Sequence, residues 1–247
     1  MFDKNKIVAH TTVSLFIGHI KGEDKRLLQL GTVMTDENYQ KQGLSRFLME
    51  HIQHDFKKDI DGMFLFANET VLDFYPKFGF VPLKEYQAFK HIGNSGHQAK
   101  YEYRKLNLDS PNDLRLFERT VEAAIHNTSF PAKSKALTFF YCYANPEMGY
   151  KDAIYYIENL NCVAIVEMNE QALHIIEVFS PERIDLHHLI GAFNTGSFTE
   201  VILGFSTDQD NFECRERKDE DLQLFVSPEL QDIFQKQKVM IPILSHT

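Results

Sequence analysis

The stretch "YQKQGLSRFLMEH", Tyr39–His51, sets two glutamines and a glycine directly before a run whose apolar residues recur at helical spacing. Leu44, Phe47, Leu48, His51, Ile52 and Phe56 fall on one face, with charged residues elsewhere, so the segment from Leu44 to Lys57 reads as an amphipathic helix. The amino end of a helix carries backbone N–H groups with no intrahelical partner, together with the positive end of the helix dipole, and so suits an anion. Gly43 would let the backbone approach such an anion, and Ser45 is small and can donate a hydroxyl hydrogen bond. Taken alone, the glycine fits a plain turn equally well.

The flanking sequence supplies the context. "IVAHTTVSLFIGHI" (Ile7–Ile20) and "RLLQLGTVMT" (Arg26–Thr35) are rich in β-branched and apolar residues and are separated by the turn "KGEDK", which predicts an antiparallel hairpin. After the helix, "GMFLFA" (Gly62–Ala67) is a short unbroken apolar run, as expected of a strand covered on both faces. Strand, glycine loop, helix and buried strand make a βαβ unit.

Residues Asn68–Phe80, "NETVLDFYPKFGF", continue with a polar amide closing the strand, a short helix carrying Val71, Leu72 and Tyr75, and Gly79-Phe80 opening another extended run. Here the chain resembles the GNAT superfamily of acyl-CoA-dependent N-acetyltransferases. Gln40, Gly43 and Ser45 match that family's pyrophosphate loop, Q/R-x-x-G-x-G/A, with serine as the small last residue; Asn68, Tyr75 and Gly79-Phe80 match the spacing of its next segment. The resemblance spans Ile7–Leu106. It implies an α/β (α+β) GNAT fold, a mixed sheet with a V-shaped splay, and acetyl-CoA as cosubstrate without a metal. Val33 would offer backbone hydrogen bonds to the pantetheine arm. The amides of Lys41, Gln42, Gly43, Leu44, Ser45 and Arg46, with Gln40, would cradle the pyrophosphate. Asn68 would bond the pantetheine arm or orient the helix, and Tyr75 would donate a proton to the departing thiolate. The usual first strand and helices of the family are not evident, and Gln29 and Thr32 stand where a glutamate base is often found, so deprotonation through water is one route. Glu37, the acid next to the loop, reads as a dipole partner.

The chain has 247 residues and a net charge of -9, unevenly spread: residues 1–108 stand at +2 and residues 109–247 at -11. The shift falls at the turn-rich "NLDSPNDL" and suggests a boundary, with a GNAT catalytic domain at 1–108 and a degenerate GNAT-like or unrelated α+β domain at 109–247. In the second half a helix is expected over Leu114–His126, strands at "AIYYIE", "CVAIVEM" and "ALHIIEVFS", a helix at "RIDLHHLIGAF", a strand at "EVILGFS", a helix at Glu229–Gln237 and a closing strand at Val239–Leu244. Pro181 stands where the first copy has its glycine loop, so no phosphate cradle is read there. "RERKDED" (Arg215–Asp221) reads as a solvated loop.

Partners follow from charge and composition. Nucleic acid is disfavoured by the acidic half, and no run of about 18 apolar residues or apolar leader core is present, which points to a cytoplasmic protein without a membrane partner. The three cysteines, Cys142, Cys162 and Cys214, lack the close pairing of a disulfide framework or zinc site. His51 with His54, and His187 with His188, lack a third metal ligand. The expected acceptor is a small amine, a cationic one if the acidic half walls the cleft. The alternative is a catalytically silent acyl-CoA-binding or sensor module.

Overall fold

The computed structural model describes residues 1–20, 23–93, 101–125, 128, 132–133, 135–144, 149–193, 198–217 and 222–246. A small hairpin of β1 (Phe2–Asp3) and β2 (Lys6–Ile7) leads into the long strands β3 (Ala9–Ile20) and β4 (Glu23–Thr35). Helix α1 (Leu44–Phe56) buries Met49 and Ile52 against β4 and β5 (Gly62–Ala67), as its apolar face requires. Two 3₁₀ turns, Glu69–Val71 and Tyr75–Phe78, replace the single short helix expected after Asn68. Pro76 in the second turn has no amide hydrogen to give an α-helical ladder. Strands β6 (Val81–Leu83), β7 (Glu85–His91) and β8 (Arg104–Lys105) follow.

Helix α2 (Pro111–Ala123) begins and ends three residues earlier than Leu114–His126, with Pro at its first turn, and His126 lies outside the described residues. Then come β9 (Ala132–Lys133), α3 (Lys135–Phe139), β10 (Ile154–Ile157), β11 (Cys162–Met168), β12 (Ala172–Phe179), α4 (Leu186–Phe193), β13 (Glu200–Leu203), β14 (Glu213–Arg217), β15 (Gln223–Val226) and α5 (Pro228–Gln237).

Two mixed sheets result. The six-stranded sheet has the order β6-β15-β5-β4-β3-β9, and the seven-stranded sheet the order β14-β7-β13-β12-β11-β10-β8. Each contains one parallel pair joined across a helix, β4 with β5 through α1 and β12 with β13 through α4. The second sheet therefore repeats the pattern of the first, in keeping with a tandem GNAT-like architecture. Each sheet also borrows from the other half of the chain: β15 lies between β5 and β6, while β7 lies between β13 and β14. The division expected at residue 108 thus does not coincide with the division between sheets. The composition shift there marks a change of surface charge, and the strand exchange that crosses it is set by long-range pairing.

Two further expectations are corrected. Arg215–Arg217, expected as the start of a loop, belong to an edge strand, Glu213–Arg217; its alternating charges mask the pattern but are cross-linked by Arg215 to Glu200 at 2.8 and 3.0 Å and by Lys84 to Glu216 at 2.8 Å. Residues 218–221 of that stretch lie outside the described residues. The closing strand expected at Val239–Leu244 is an irregular segment ending in a 3₁₀ turn at Ile243–Ser245. Pro242 cannot donate to a ladder, and the neighbouring amides of Met240 and Ile241 donate to the Ser206 hydroxyl and the Glu85 carboxylate, both at 2.8 Å. This segment joins the two sheets: Val239 and Ile241 pack with α5 on the first, and Leu244 packs on the second.

Cys142 and Cys162 are buried, and burial pushes both thiols up to about 12, whereas Cys214 is exposed. Among the described residues no helix is long and apolar enough to cross a membrane.

Gly204 is where the packing leaves no room: a Cβ there would lie 2.5 Å from the Ile176 carbonyl oxygen, whereas a Cβ at Gly191 in α4 would meet nothing within 4 Å. Gly204→Ala should destabilise by about 1–3 kcal/mol through overpacking, and Gly191→Ala should stabilise by roughly 1 kcal/mol through helix propensity. Opposite shifts in urea midpoint, at unchanged slope, check both.

Candidate active site

The parallel ladder between β4 and β5 is short. It pairs Leu27–Leu30 with Gly62–Leu65 and stops, although β4 continues to Thr35 and β5 to Ala67. Beyond that point a bulge disturbs β4, with Thr32 and Val33 opposing the single residue Thr11 of β3 and Thr32 held at φ +49°. The strands part, and the gap is a cleft of about 370 Å³ lined by Thr32, Val33, Phe66, Asn68 and Tyr75 among others. Val33 thus sits on an edge of β4 that has no ladder partner on the β5 side. An extended chain can bond such an edge.

A second cleft of about 400 Å³ adjoins it, with Ser45 and Phe74 lining both. Gln40, Lys41, Gly43, Leu44, Ser45 and Arg46 line this second cleft, together with Thr35, Tyr39 and Lys77. Gly43 is the N-cap of α1 at φ +80°. No side chain caps the helix and no acid occupies its first turn, so its leading N–H groups stay available to an anion. A Cβ at Gly43 would meet nothing within 4 Å, so the glycine is required by its left-handed backbone, and nothing in the protein itself crowds the place where a phosphate would approach. Lys41 also adopts positive φ, at 61°. Ser45 and Thr35 share a hydroxyl hydrogen bond of 2.7 Å that ties the helix start to the end of β4.

Charge completes this cleft. Lys41, Arg46 and Lys77 bring three cations and no carboxylate lines it, and among the described residues none of the three is ion-paired. Lys77 was not read as a site residue from the sequence. Its position two residues after Tyr75 is the only signal, and its approach to the loop depends on the 3₁₀ turn. Gln42 faces back to the Asn38 carbonyl at 3.4 Å and does not line either cleft.

Asn68 closes β5 and caps the following turn: its Oδ1 accepts from the Thr70 amide at 3.1 Å and the Thr70 hydroxyl at 2.6 Å. Of the two roles named for it, orienting the turn is the one its contacts display. Tyr75 is buried among the rings of Phe74, Phe80 and Phe225 at 5.2, 6.4 and 5.7 Å, yet lines the splay cleft. Burial raises its phenol above the ordinary range, which keeps it protonated at neutral pH.

The remaining candidates separate from this site. His51 and His54 are exposed beside Asp55, at 3.3 and 3.2 Å, and among the described residues no group of three or more His, Cys, Asp or Glu is gathered to hold a metal. Gln29, standing where a base was sought, is fully buried. No carboxylate from residue 109 onward lines either cleft among the described residues, so the acidic wall expected for a cationic acceptor is not seen.

Residues 1–94 match the family model of the acetyltransferase (GNAT) domain. Solved structures similar in fold cover nearly the whole chain. Eis1 from Mycobacterium abscessus aligns at TM-score 0.53 and 13% identity, over 91% of this chain and 62% of that one. A protein of unknown function from Enterococcus faecalis V583, described as a probable N-acyltransferase, aligns at 0.53 and 12%, over 93% and 61%. The GCN5-related N-acetyltransferase from Kribbella flavida aligns at 0.50 and 13%, over 90% and 57%. The chain thus spans about three fifths of the length of these structures. No curated protein matches it by sequence.

If the α1 end is the phosphate site, Gly43→Trp should abolish the thermal shift produced by acetyl-CoA. Gly43→Ala, which adds only backbone strain of about 1–2 kcal/mol, should lower the melting temperature and keep most of the ligand-induced shift. An unchanged shift in a folded Gly43→Trp protein would refute the assignment.

Proposed function

We propose that the chain is an acetyltransferase that moves the acetyl group of acetyl-CoA to an amine by direct attack in a ternary complex. The observation that carries this reading is the junction of two clefts at Ser45 and Phe74: one with an open helix end and three cations, the other with an unpaired strand edge and a tyrosine. Lys41, Arg46, Lys77 and the α1 amides would hold the pyrophosphate, with Gln40 beside them. Val33 would bond the pantetheine amides, as an added strand bonds a sheet edge.

The chemistry follows from that placement. The amine nitrogen attacks the thioester carbonyl as the C–S bond breaks, and the Tyr75 hydroxyl passes its proton to the leaving sulfur. Fixing both reactants in the cleft supplies much of the acceleration, since attack then needs no further loss of translational freedom. The described lining contributes no carboxylate, so the proposed acceptor is an amine with no requirement for additional positive charge.

A panel of primary amines assayed for free CoA release tests the proposal. Turnover with at least one amine is expected; acetyl-CoA binding without turnover on any would leave a silent acyl-CoA-binding module. Tyr75→Phe removes only the hydroxyl and should lower kcat by ~10²–10⁴-fold with acetyl-CoA affinity nearly unchanged. Parental turnover in that variant would return Tyr75 to a packing role.

A further inference from the structure

A ternary complex needs two ways into the splay cleft. The phosphate cleft adjoins it at Ser45 of α1 and at Phe74, and Phe74 packs with Val71 and Tyr75 on the face of the first sheet that α1 covers. Acetyl-CoA would therefore enter from that face, and the acceptor needs a separate approach. One lining residue belongs to the other face. Side chains alternate along β5, so Leu65 and Ala67 pack under α1, whereas Phe64 and Phe66 pack with Leu230 and Phe234 of α5.

Phe66 belongs to a row of rings on that face. Phe16 and Phe64 lie 5.7 Å apart, Phe64 meets Phe66 edge-on at 6.4 Å, and the imidazole of His246 stacks on Phe66 at 4.0 Å with 28° between the planes. Phe16 and Phe64 are fully buried, whereas Phe66 and His246 are half-buried. The row thus runs from the core beside α5 to an accessible stack, one ring of which lines the splay cleft.

His246 is held at both its ring and its backbone. Its Nε2 lies 3.2 Å from the Ile241 carbonyl oxygen; a carbonyl only accepts, so Nε2 carries the hydrogen. The His246 carbonyl accepts from the Tyr141 hydroxyl at 2.7 Å, and its amide donates to the Ile243 carbonyl at 3.3 Å. Tyr141 packs against the core of the second sheet, so the second half of the chain sets the ring that covers Phe66. The described lining of the cleft carries no carboxylate, and Phe66 presents ring carbon. This wall offers apolar and π contact rather than charge.

We infer that Phe66 is the acceptor-side wall of the cleft and favours an amine with an aromatic body, such as an arylalkylamine, and that His246 is the positioning residue that fixes its ring. This rests on the acyltransferase reading above. An aromatic group beside Phe66 gains an offset or edge-to-face ring contact. The stack with His246 settles the Phe66 ring in one orientation before the acceptor arrives, so binding does not have to order it. A small amine such as ethylamine has no body to lay against the wall and draws nothing from it.

The test compares phenethylamine with ethylamine in the parent, His246→Ala and His246→Phe. The parent should favour phenethylamine by about 10-fold or more in kcat/KM, as burial of a phenyl group requires. His246→Ala should lower that preference by ~2–10-fold, through a higher KM for phenethylamine with kcat nearly unchanged. His246→Phe keeps a ring on Phe66 without a hydrogen for Ile241, and should restore the preference. The acetyl-CoA thermal shift should match the parent in both. Should His246→Ala fail to fold, Phe66→Leu, which keeps an apolar side chain without a ring, should cost the same preference. An undiminished preference in His246→Ala, equal losses with the two amines, or no restoration in His246→Phe overturns the role of His246. A parent that prefers ethylamine or the dicationic diaminobutane overturns the aromatic acceptor. Each of these leaves the acetyltransferase reading standing, whereas a parent that binds acetyl-CoA yet acetylates no amine overturns both.

Discussion

The parallel ladder between β4 and β5 is only four residue pairs long, and the site hangs on where it stops. Had the ladder continued past Leu30 and Leu65, Val33 would face a partner strand and no cleft would separate it from Tyr75. The bulge at Thr32 and Val33 ends it by adding a residue to β4 opposite Thr11, which strengthens the local twist and turns the strand away from β5. The same bend carries the chain into the loop before α1, where Ser45 and Thr35 lock the helix start onto the strand at 2.7 Å. One local irregularity thus sets the splay and anchors the helix end beside it.

Reciprocal strand exchange makes the two sheets a single structural problem. Only Lys84 separates β6 in one sheet from β7 in the other. β15 returns from the far end of the chain to lie against β5, and its Phe225 ring is 5.7 Å from that of Tyr75. A side chain of the second half therefore helps hold the proposed catalytic acid of the first. The same half fills the other face of the sheet with Leu230, Phe234, Val239 and Ile241. Neither sheet completes its core without residues from both halves.

This exchange explains what was legible in the sequence. The hairpin, the glycine loop and α1 follow from local rules: alternation, a helix-opening turn and a 3.6-residue period, all within fifty residues. The strands of the second half were legible because they are short apolar runs. Which sheet β7 and β15 join depends on pairing between residues more than a hundred positions apart, and no local pattern encodes that. Arg215–Arg217 were misread as loop because an exposed edge strand carries charge on both faces. Val239–Leu244 was misread because its apolar residues are buried as a strand's would be, while its amides are satisfied by Ser206 and Glu85. Lys77 was missed because a lysine reads as surface until the fold turns it toward a loop thirty residues earlier.

The two parallel pairs also differ in what their helices offer an anion. In the first, α1 opens at Gly43 with no side-chain cap and no acid in its first turn. In the second, the corresponding helix α4 has its leading amides taken: Leu186 donates to Gln209 Oε1 at 2.8 Å and His187 to Asp185 Oδ1 at 2.8 Å. A carboxylate at a helix start satisfies the dipole and repels a second anion. Charge reinforces the difference, since the first opening is flanked by Lys41, Arg46 and Lys77. The absence of a glycine from Val178 to Leu189 and the presence of Asp185 have a common meaning. With its helix end closed from within, the second pair keeps the strand order and the core but offers an anion no free leading amides at Leu186 and His187.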